Sequence, residues 1–500
     1  MIFAQVLTPP SIGWVAIAPE IVLGVGAALI LLYDVQFKPR RSHLGFAAAA
    51  VIATALAFAF VQYDRVQTLR DATAEQASNL VAQAFPFDAM IVLDANAVFG
   101  RFAMLLVTGL GLAAGWKLFE RLAGRAAEGL AHMLISAAGF MFMASSTHLM
   151  MIFLGLEVGS IALYVLAGIT RERTESDEAA IKYFLLGSVA SAVFVYGVAL
   201  TYAGAGSMNL LEIQGVLDRN IFTRPAVLLI GIALMIVGLG FKVSAAPFHS
   251  WAPDVYQGAP GGIVGYMAAA AKIGGFAALI RILFTAFPDF ASSWGPLIAA
   301  IAALSMLLGS TVALVQSDIR RMLAYSGVAH AGFILTGVVA GGAGTGEVWF
   351  YLGVYTVQLV GAFGVVAAVS GAASSGSGID AFRGLAKRVP FLAATFSVLL
   401  LGMAGLPLTS GFVAKFGVFT EAWQAGYEWL VIVAVLASVI AFFFYLRVIV
   451  AMYMEEPVDE AVGQPGLSVR ASLALAALIT IVIGIVPGPL LSLAGEASPL

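Results

Sequence analysis

Four ionisable residues interrupt long apolar stretches of this 500-residue chain: Glu157, Lys242, Lys272 and Lys415. Three are lysines with no carboxylate close by in sequence. A charged lysine at the centre of a bilayer-spanning helix costs roughly 2.5–3.5 kcal/mol on insertion scales. Such residues face a protein interior or a wet cavity and mark an ion or proton path. Apolar surroundings weaken a lysine's hold on its proton, and a nearby carboxylate strengthens it. A glutamate–lysine pair whose separation changes is therefore a switchable proton binder. The chemistry indicated is proton transfer between tuned bases, not covalent catalysis.

The elements that must position these residues are membrane helices. Hydrophobic residues make up 61% of the chain and charged residues only 11%, against about 25% charged in an ordinary soluble domain. The apolar runs predict an all-α polytopic membrane protein of about fourteen transmembrane helices: 14–34, 43–62, 89–116, 128–146, 148–169, 181–204, 225–256, 260–285, 295–316, 322–342, 348–371, 390–426, 428–453 and 470–493. Two of these, 225–256 and 390–426, are interrupted. A net charge of −3 gives no sign of nucleic-acid binding. The absence of cysteine excludes a thiolate-ligated iron–sulfur cluster, a disulfide or a cysteine nucleophile in this chain. The opening MIFAQVLTPPSIGW lacks the basic region of a cleaved signal peptide, so the first helix is expected to be retained. Gly342-Ala-Gly344-Thr-Gly346 lies between two apolar runs without strand–helix context and reads as a turn, not a phosphate loop.

Lysine and arginine partition between alternate loops. One set holds Lys38, Arg40, Arg41, Lys117, Arg121, Arg125, Arg171, Arg173, Lys182, Arg320, Arg321, Arg383, Lys387, Arg388 and Arg470. The other holds Arg65, Arg70, Arg219 and Arg224, with Arg281 near a helix end. The positive-inside rule makes the rich set cytoplasmic and, with an even number of spans, places both termini on the outer side. Acidic Glu455, Glu456, Asp459 and Glu460 run against the trend but carry little weight in this rule.

Transporter folds often contain two related halves. Glu157 precedes Lys242 by 85 residues, and His330 precedes Lys415 by 85. Glu157-Val-Gly159 corresponds to His330-Ala-Gly332, and Gly240-Phe-Lys242 to Gly411-Phe-Val-Ala-Lys415. At this offset Lys272 falls within two residues of Arg447. Five helices in each half require the second copy to be upside down, so the expectation is two inverted five-helix repeats. The expected divisions are 1–127, an N-terminal three-helix segment; 128–285, the first repeat; 295–453, the second; and 454–500, a loop and last helix. Pro247 and Pro407, with glycines at 238, 240, 405 and 411, predict a broken helix in each half. Broken helices are tolerated where freed backbone groups face protein or water, and they recur at transporter ion sites.

The run from Gly240 to Pro260, GFKVSAAPFHSWAPDVYQGAP, resembles the signature of the antiporter-like, proton-translocating membrane subunits of respiratory complex I. Ser317 to Gly332, SDIRRMLAYSGVAHAG, is similar to that family's second signature. The resemblance spans about residues 128–450. Glu178-Ala-Ala-Ile-Lys-Tyr-Phe, the run Asp380 to Pro390 and the lysine at 415 distinguish the branch with lysine at that last position from the branch with glutamate there. A third branch has a long C-terminal extension that is not seen here. Gly261-Gly262 departs from the usual Thr-Pro, and Gly327 from a common serine, without removing an ionisable group.

The resemblance implies that Glu157 and Lys242 pair across neighbouring helices, that Lys272 is a central relay and Lys415 a terminal one, and that His330 links Lys272 to Lys415 through water. Relatives of the family occur in multisubunit cation/proton antiporters and membrane hydrogenases, which are the alternative reading. The resemblance implies no redox cofactor in this chain. FMN, iron–sulfur clusters, NADH and quinone are expected in other subunits. The expected partners are the antiporter-like subunit M, small membrane subunits such as K and J, and the lipid bilayer. Each lysine could instead snorkel to the interface, an alternative weightiest for Lys182, which begins its helix beside a basic loop. His249 fits a structural hydrogen bond near the broken helix better than a relay. The repeat spacing favours Arg447 as a counterpart of Lys272 over a cytoplasmic anchor. Asp254 and Asp318 read as loop clamps.

Overall fold

The computed structural model describes residues 13–38, 40–71, 89–122, 124–219, 225–371, 376–457 and 463–497. Most of the opening segment, Arg224, Asp459 and Glu460 lie outside the described residues. Each of the fourteen apolar tracts contains a helix. Twelve helices among the described residues are long and apolar enough to cross a membrane. The Ile319–Val338 helix and the broken pair Pro390–Ala404 and Ser410–Gln424 account for the other two tracts. The chain is thus an all-helical multi-pass membrane protein.

Local chemistry sets the helix ends. Asp94 caps the Ala95–Ala114 helix by accepting from Ala97 N at 2.8 Å. Asn209 accepts from Leu211 N at 3.0 Å, and Asp318 from Arg321 N at 3.0 Å. These caps satisfy amide groups that a helix start leaves without intrahelical partners. Both predicted breaks are present. Pro225–Lys242 ends at the lysine itself, and the helix resumes at Trp251. Within this break Ala246 N donates to Ser305 Oγ at 2.8 Å, which ties the turn to the Ala291–Leu314 helix. Pro390–Ala404 stops at Gly405, whose φ of +85° favours glycine, and Ser410–Gln424 follows. Lys242 is therefore the last residue before its break, whereas Lys415 lies inside the helix after its own.

One connection occurs twice. Leu149 N bonds Met208 O at 2.9 Å and Leu210 N bonds Thr147 O at 2.8 Å. Later in the chain Ile319 N bonds Ser377 O at 2.7 Å and Ile379 N bonds Ser317 O at 2.9 Å. Each bridge fastens the start of one helix to the segment that follows the next long helix. The helix carrying Lys272, Gly261–Arg281, is buried throughout its most apolar window. Outer helices instead present large apolar side chains, among them Leu29, Phe46 and Ile432. Such faces suit lipid or neighbouring apolar helices.

Close backbone approach sets the helix pair that holds Glu157. A methyl group added at Gly139 would lie 2.5 Å from Gly159 N and 2.8 Å from Gly155 O. Small residues at such crossings let membrane helices pack backbone to backbone. Gly139→Ala is expected to cost about 1–3 kcal/mol, the range for overpacking. Gly109→Ala, where nothing lies within 4 Å, serves as the control. Thermal melting of the purified chain in detergent should fall for the first variant and hold or rise for the second.

Candidate functional site

The sequence-predicted bases occupy the protein interior. Lys242 is 2% exposed, Lys272 1%, His330 3% and Lys415 5%. Each ammonium has protein acceptors. Lys242 Nζ donates to Ser160 Oγ at 2.7 Å and Tyr183 Oη at 3.4 Å. It also sits 5.0 Å from the Phe140 ring centre, within cation–π range. Lys272 Nζ donates to Val243 O at 2.7 Å and Gly327 O at 3.0 Å. Lys415 Nζ donates to Ala404 O at 3.0 Å and lies 4.5 Å from the Phe333 ring centre.

Two of these acceptors come from the helix breaks. Val243 is the first residue past the end of Pro225–Lys242, and Ala404 is the last residue of Pro390–Ala404. Carbonyls at a helix C-terminus lack intrahelical donors and carry the negative end of the helix dipole. They are suited to a cation that has no carboxylate partner.

Glu157 and Lys242 are not joined as an ion pair, which departs from the arrangement the resemblance implied. The half-buried Glu157 carboxylate accepts a hydrogen bond from Ser191 on the Thr174–Ala205 helix. Lys242 bonds Ser160, one turn along from Glu157 on the same helix. Competing hydroxyls thus hold the two charges apart, with Ser160 one turn from the carboxylate.

His330 sits in an aromatic cage. Its Nδ1 faces Tyr351 Oη at 3.0 Å, its Nε2 faces Tyr445 Oη at 3.2 Å, and its ring stacks on Tyr355 at 4.1 Å. Tyr445 also shares a hydrogen bond with Ser326. Gly327 separates Tyr355 from Lys272: a methyl group there would lie 3.4 Å from Tyr355 Oη and 3.7 Å from Lys272 Cε. Phe333 lies against His330 on one side and beneath Lys415 on the other.

The secondary candidates fall outside this cluster. Lys182 ion-pairs with Glu178 at 2.7 Å and with Asp254 at 3.0 Å. Asp254 also binds Arg321 at 2.8 Å, so it clamps two elements. His249 does not make the hydrogen bond expected of it through Nδ1, which is buried without a partner. Its ring meets Tyr325 edge-on at 6.1 Å. Arg447 is exposed, and its guanidinium donates to Leu314 O at 3.0 Å and to Gln316 O. It caps the end of the Ala291–Leu314 helix and stands apart from the buried bases, whereas the repeat spacing favoured a relay position.

Sequence reasoning passed over Tyr183, Tyr351, Tyr355 and Tyr445, whose phenols carry no charge to stand out in an apolar run. A signal for one existed. The offset that carries Lys242 onto Lys415 carries Lys272 onto Tyr445, not onto Arg447. Glu347 was also missed. Its carboxylate lies against Gly417, and its Oε2 is buried without a hydrogen-bond partner. Two buried ion pairs went unread as well. Arg281 grips both Asp94 oxygens, with Nη2 to Oδ1 at 2.8 Å, and Arg101 holds Glu20 at 2.7 Å. They join partners far apart in the chain, so no local pattern announces them.

An all-helical membrane fold with a buried row of lysines and a caged histidine defines the class of protein. Residues 146–441 match the family model described as NADH:quinone oxidoreductase/Mrp antiporter, transmembrane. NADH-quinone oxidoreductase subunit N of Mycobacterium bovis is 46% identical over 375 residues, covering 73% of this chain and 70% of that protein. Subunit N of Rhodococcus opacus is 39% identical over 523 residues, covering 98% and 96%. A chain of respiratory complex I from Thermus thermophilus with bound aureothin superposes with a TM-score of 0.75 at 30% identity, over 96% of this chain and 99% of that one. A chain of the Mrp complex from a Dietzia species gives a TM-score of 0.80 at 21% identity over 97% of each, a likeness of fold alone. The chain belongs to the NADH:quinone oxidoreductase/Mrp antiporter transmembrane family, and its relatives at 39–46% identity are NADH-quinone oxidoreductase N subunits.

A helix cap, unlike a relay, tolerates loss of its charge. Arg447→Gln should leave proton translocation by the assembled complex within about twofold of wild type, since exposed charge contacts contribute little. Vesicle acidification on NADH addition reads this directly, and a loss of tenfold or more would restore Arg447 to the relay.

Proposed function

We propose that this chain is a proton-translocating membrane subunit of NADH–quinone oxidoreductase, equivalent to subunit N of its relatives. Electrons pass from NADH to quinone through FMN and iron–sulfur clusters held by other subunits, and this chain moves protons in response. The observation that carries the reading is the buried row Lys242, Lys272, His330 and Lys415, in which each base has protein partners but, among the described residues, no lysine of the row has a carboxylate ion pair. Such groups can exchange protons at modest cost, because neither protonation state is locked by an opposite charge.

In this reading Glu157 is the input partner that strengthens Lys242's hold on a proton when Ser191 releases it. Lys272 receives from Lys242, and His330 with its tyrosines links Lys272 to Lys415. Residues 128–285 and 295–453 act as inverted half-channels, a reading supported by the matching bridges at the starts of Leu149–Ala167 and Ile319–Val338. The arginine-rich loops face the cytoplasm, both termini face the outer side of the cell membrane, and the neighbours are subunit M and small subunits such as K and J. A cation/proton antiporter subunit is the less favoured alternative, because the full-length relatives are oxidoreductase subunits.

Lys242→Met in the assembled complex, reconstituted in vesicles, tests the reading. NADH-driven acidification should fall below about a tenth of wild type, in line with loss of a group that transfers protons. Full pumping by that variant would overturn it.

A further inference from the structure

The lysine and arginine residues of the basic loops are not spread evenly. Lys117, Arg121, Arg173 and Arg320 converge on one cavity of about 60 Å³. No carboxylate lines it among the described residues. Its floor is Gly261-Gly262, the first turn of the 21-residue Gly261–Arg281 helix. Pro260 precedes that turn and offers no side-chain cap. Free amide groups and the positive end of a helix dipole together favour an anion at such a start.

A second observation points the same way independently. Arg320 is 1% exposed, yet its guanidinium has one hydrogen bond, from Nη1 to Gln257 O at 3.2 Å. Its Nε is buried without a partner among the described residues, and so is Nη2 of Arg173. A buried guanidinium whose donors are unmet is costly unless an acceptor joins it. Of the neighbouring carboxylates, Asp318 caps its own helix and binds Ser377, and Glu175 reaches Arg173 only through Nε at 3.9 Å, leaving Arg173 Nη2 unmet. The carboxyl ends of Ala95–Ala114 and Thr345–Ser370 also reach the cavity. They offset about half a charge each, well short of four cations. Gly261 leaves room for this approach: a methyl group there would lie 2.7 Å from Arg320 Nη2, so a side chain at 261 would push the guanidinium aside.

We propose that this cavity is a phosphate-binding site, occupied by the phosphoryl group of an anionic phospholipid or by free phosphate. Planar guanidinium groups bind phosphate oxygens in pairs, and a lysine adds a mobile point charge. The occupant would pin four elements together at the membrane face: the Ala95–Ala114 helix end, the loop after Leu149–Ala167, the start of the Lys272 helix and the start of Ile319–Val338. It would thereby steady the helix that carries the central lysine.

The test uses the full chain in zwitterionic detergent at constant ionic strength. Melting is followed with added inorganic phosphate in one arm and with phosphatidylglycerol against phosphatidylcholine in mixed micelles in the other. Wild type should gain about 3 °C or more in one arm, as expected for a ligand that binds only the folded state. The exposed pair Lys117→Gln/Arg121→Gln should lose at least half of that gain without loss of solubility, and Arg320→Gln should lose all of it if it folds. A response to phosphatidylglycerol alone assigns the site to a lipid headgroup, and a response to phosphate assigns it to the free ion. No response in either arm, or equal responses in wild type and the double variant, would overturn the proposal.

Discussion

Every charged group inside this membrane fold must be satisfied without bulk water, and helix breaks meet that demand for two of the three interior lysines. An unbroken helix consumes its own carbonyls. A helix that stops at Lys242 or Ala404 leaves its last carbonyls free in the interior, and Lys272 and Lys415 occupy positions beside Val243 O and Ala404 O. Backbone of this kind is tolerated in a membrane only where it is buried in protein or lines a polar path. The breaks and the lysines therefore depend on one another. Remove the lysines and Val243 O and Ala404 O lose these donors; remove the breaks and Lys415 loses its carbonyl acceptor and Lys272 keeps only Gly327 O.

The partners differ in a way that bears on function. Lys242 bonds two hydroxyls, which can accept from an ammonium or donate to a neutral amine. Lys272 and Lys415 bond carbonyls, which only accept. The hydroxyl-lined base sits beside Glu157, where a changing charge would alter its proton affinity most. His330, with a phenol at each ring nitrogen, can donate from one side and accept at the other. These arrangements suit a relay better than a set of fixed charges.

The number of membrane tracts, the two breaks and the buried bases were legible because lipid imposes a simple rule: a long apolar run spans, and a lone charge within it must face inward. Lys242, Lys272 and Lys415 stand out by that rule alone, and His330 by preceding Lys415 at the spacing with which Glu157 precedes Lys242. Arg447 satisfied it too, yet it is exposed and caps a helix, because a long side chain near a helix end can reach a neighbouring C-terminus. The tyrosine cage escaped notice since an uncharged phenol in an apolar run resembles any core aromatic. Glu157 and Lys242 were expected to meet, but rotamers and competing hydroxyls such as Ser191 decide contacts of that kind, and spacing along the chain does not encode them. The pairs Asp94–Arg281 and Glu20–Arg101 depend on how distant helices pack, which one sequence does not specify.

The central claim is that the interior bases release and rebind protons and are not a static row of charge. Arginine at position 272 keeps the charge but does not give up its proton at physiological pH. The most direct measurement is the number of protons translocated per NADH oxidised by the assembled complex carrying Lys272→Arg, reconstituted in sealed vesicles. The account predicts a marked fall in that ratio. A ratio equal to wild type, with NADH oxidation still coupled, would show that a fixed charge suffices and would contradict it.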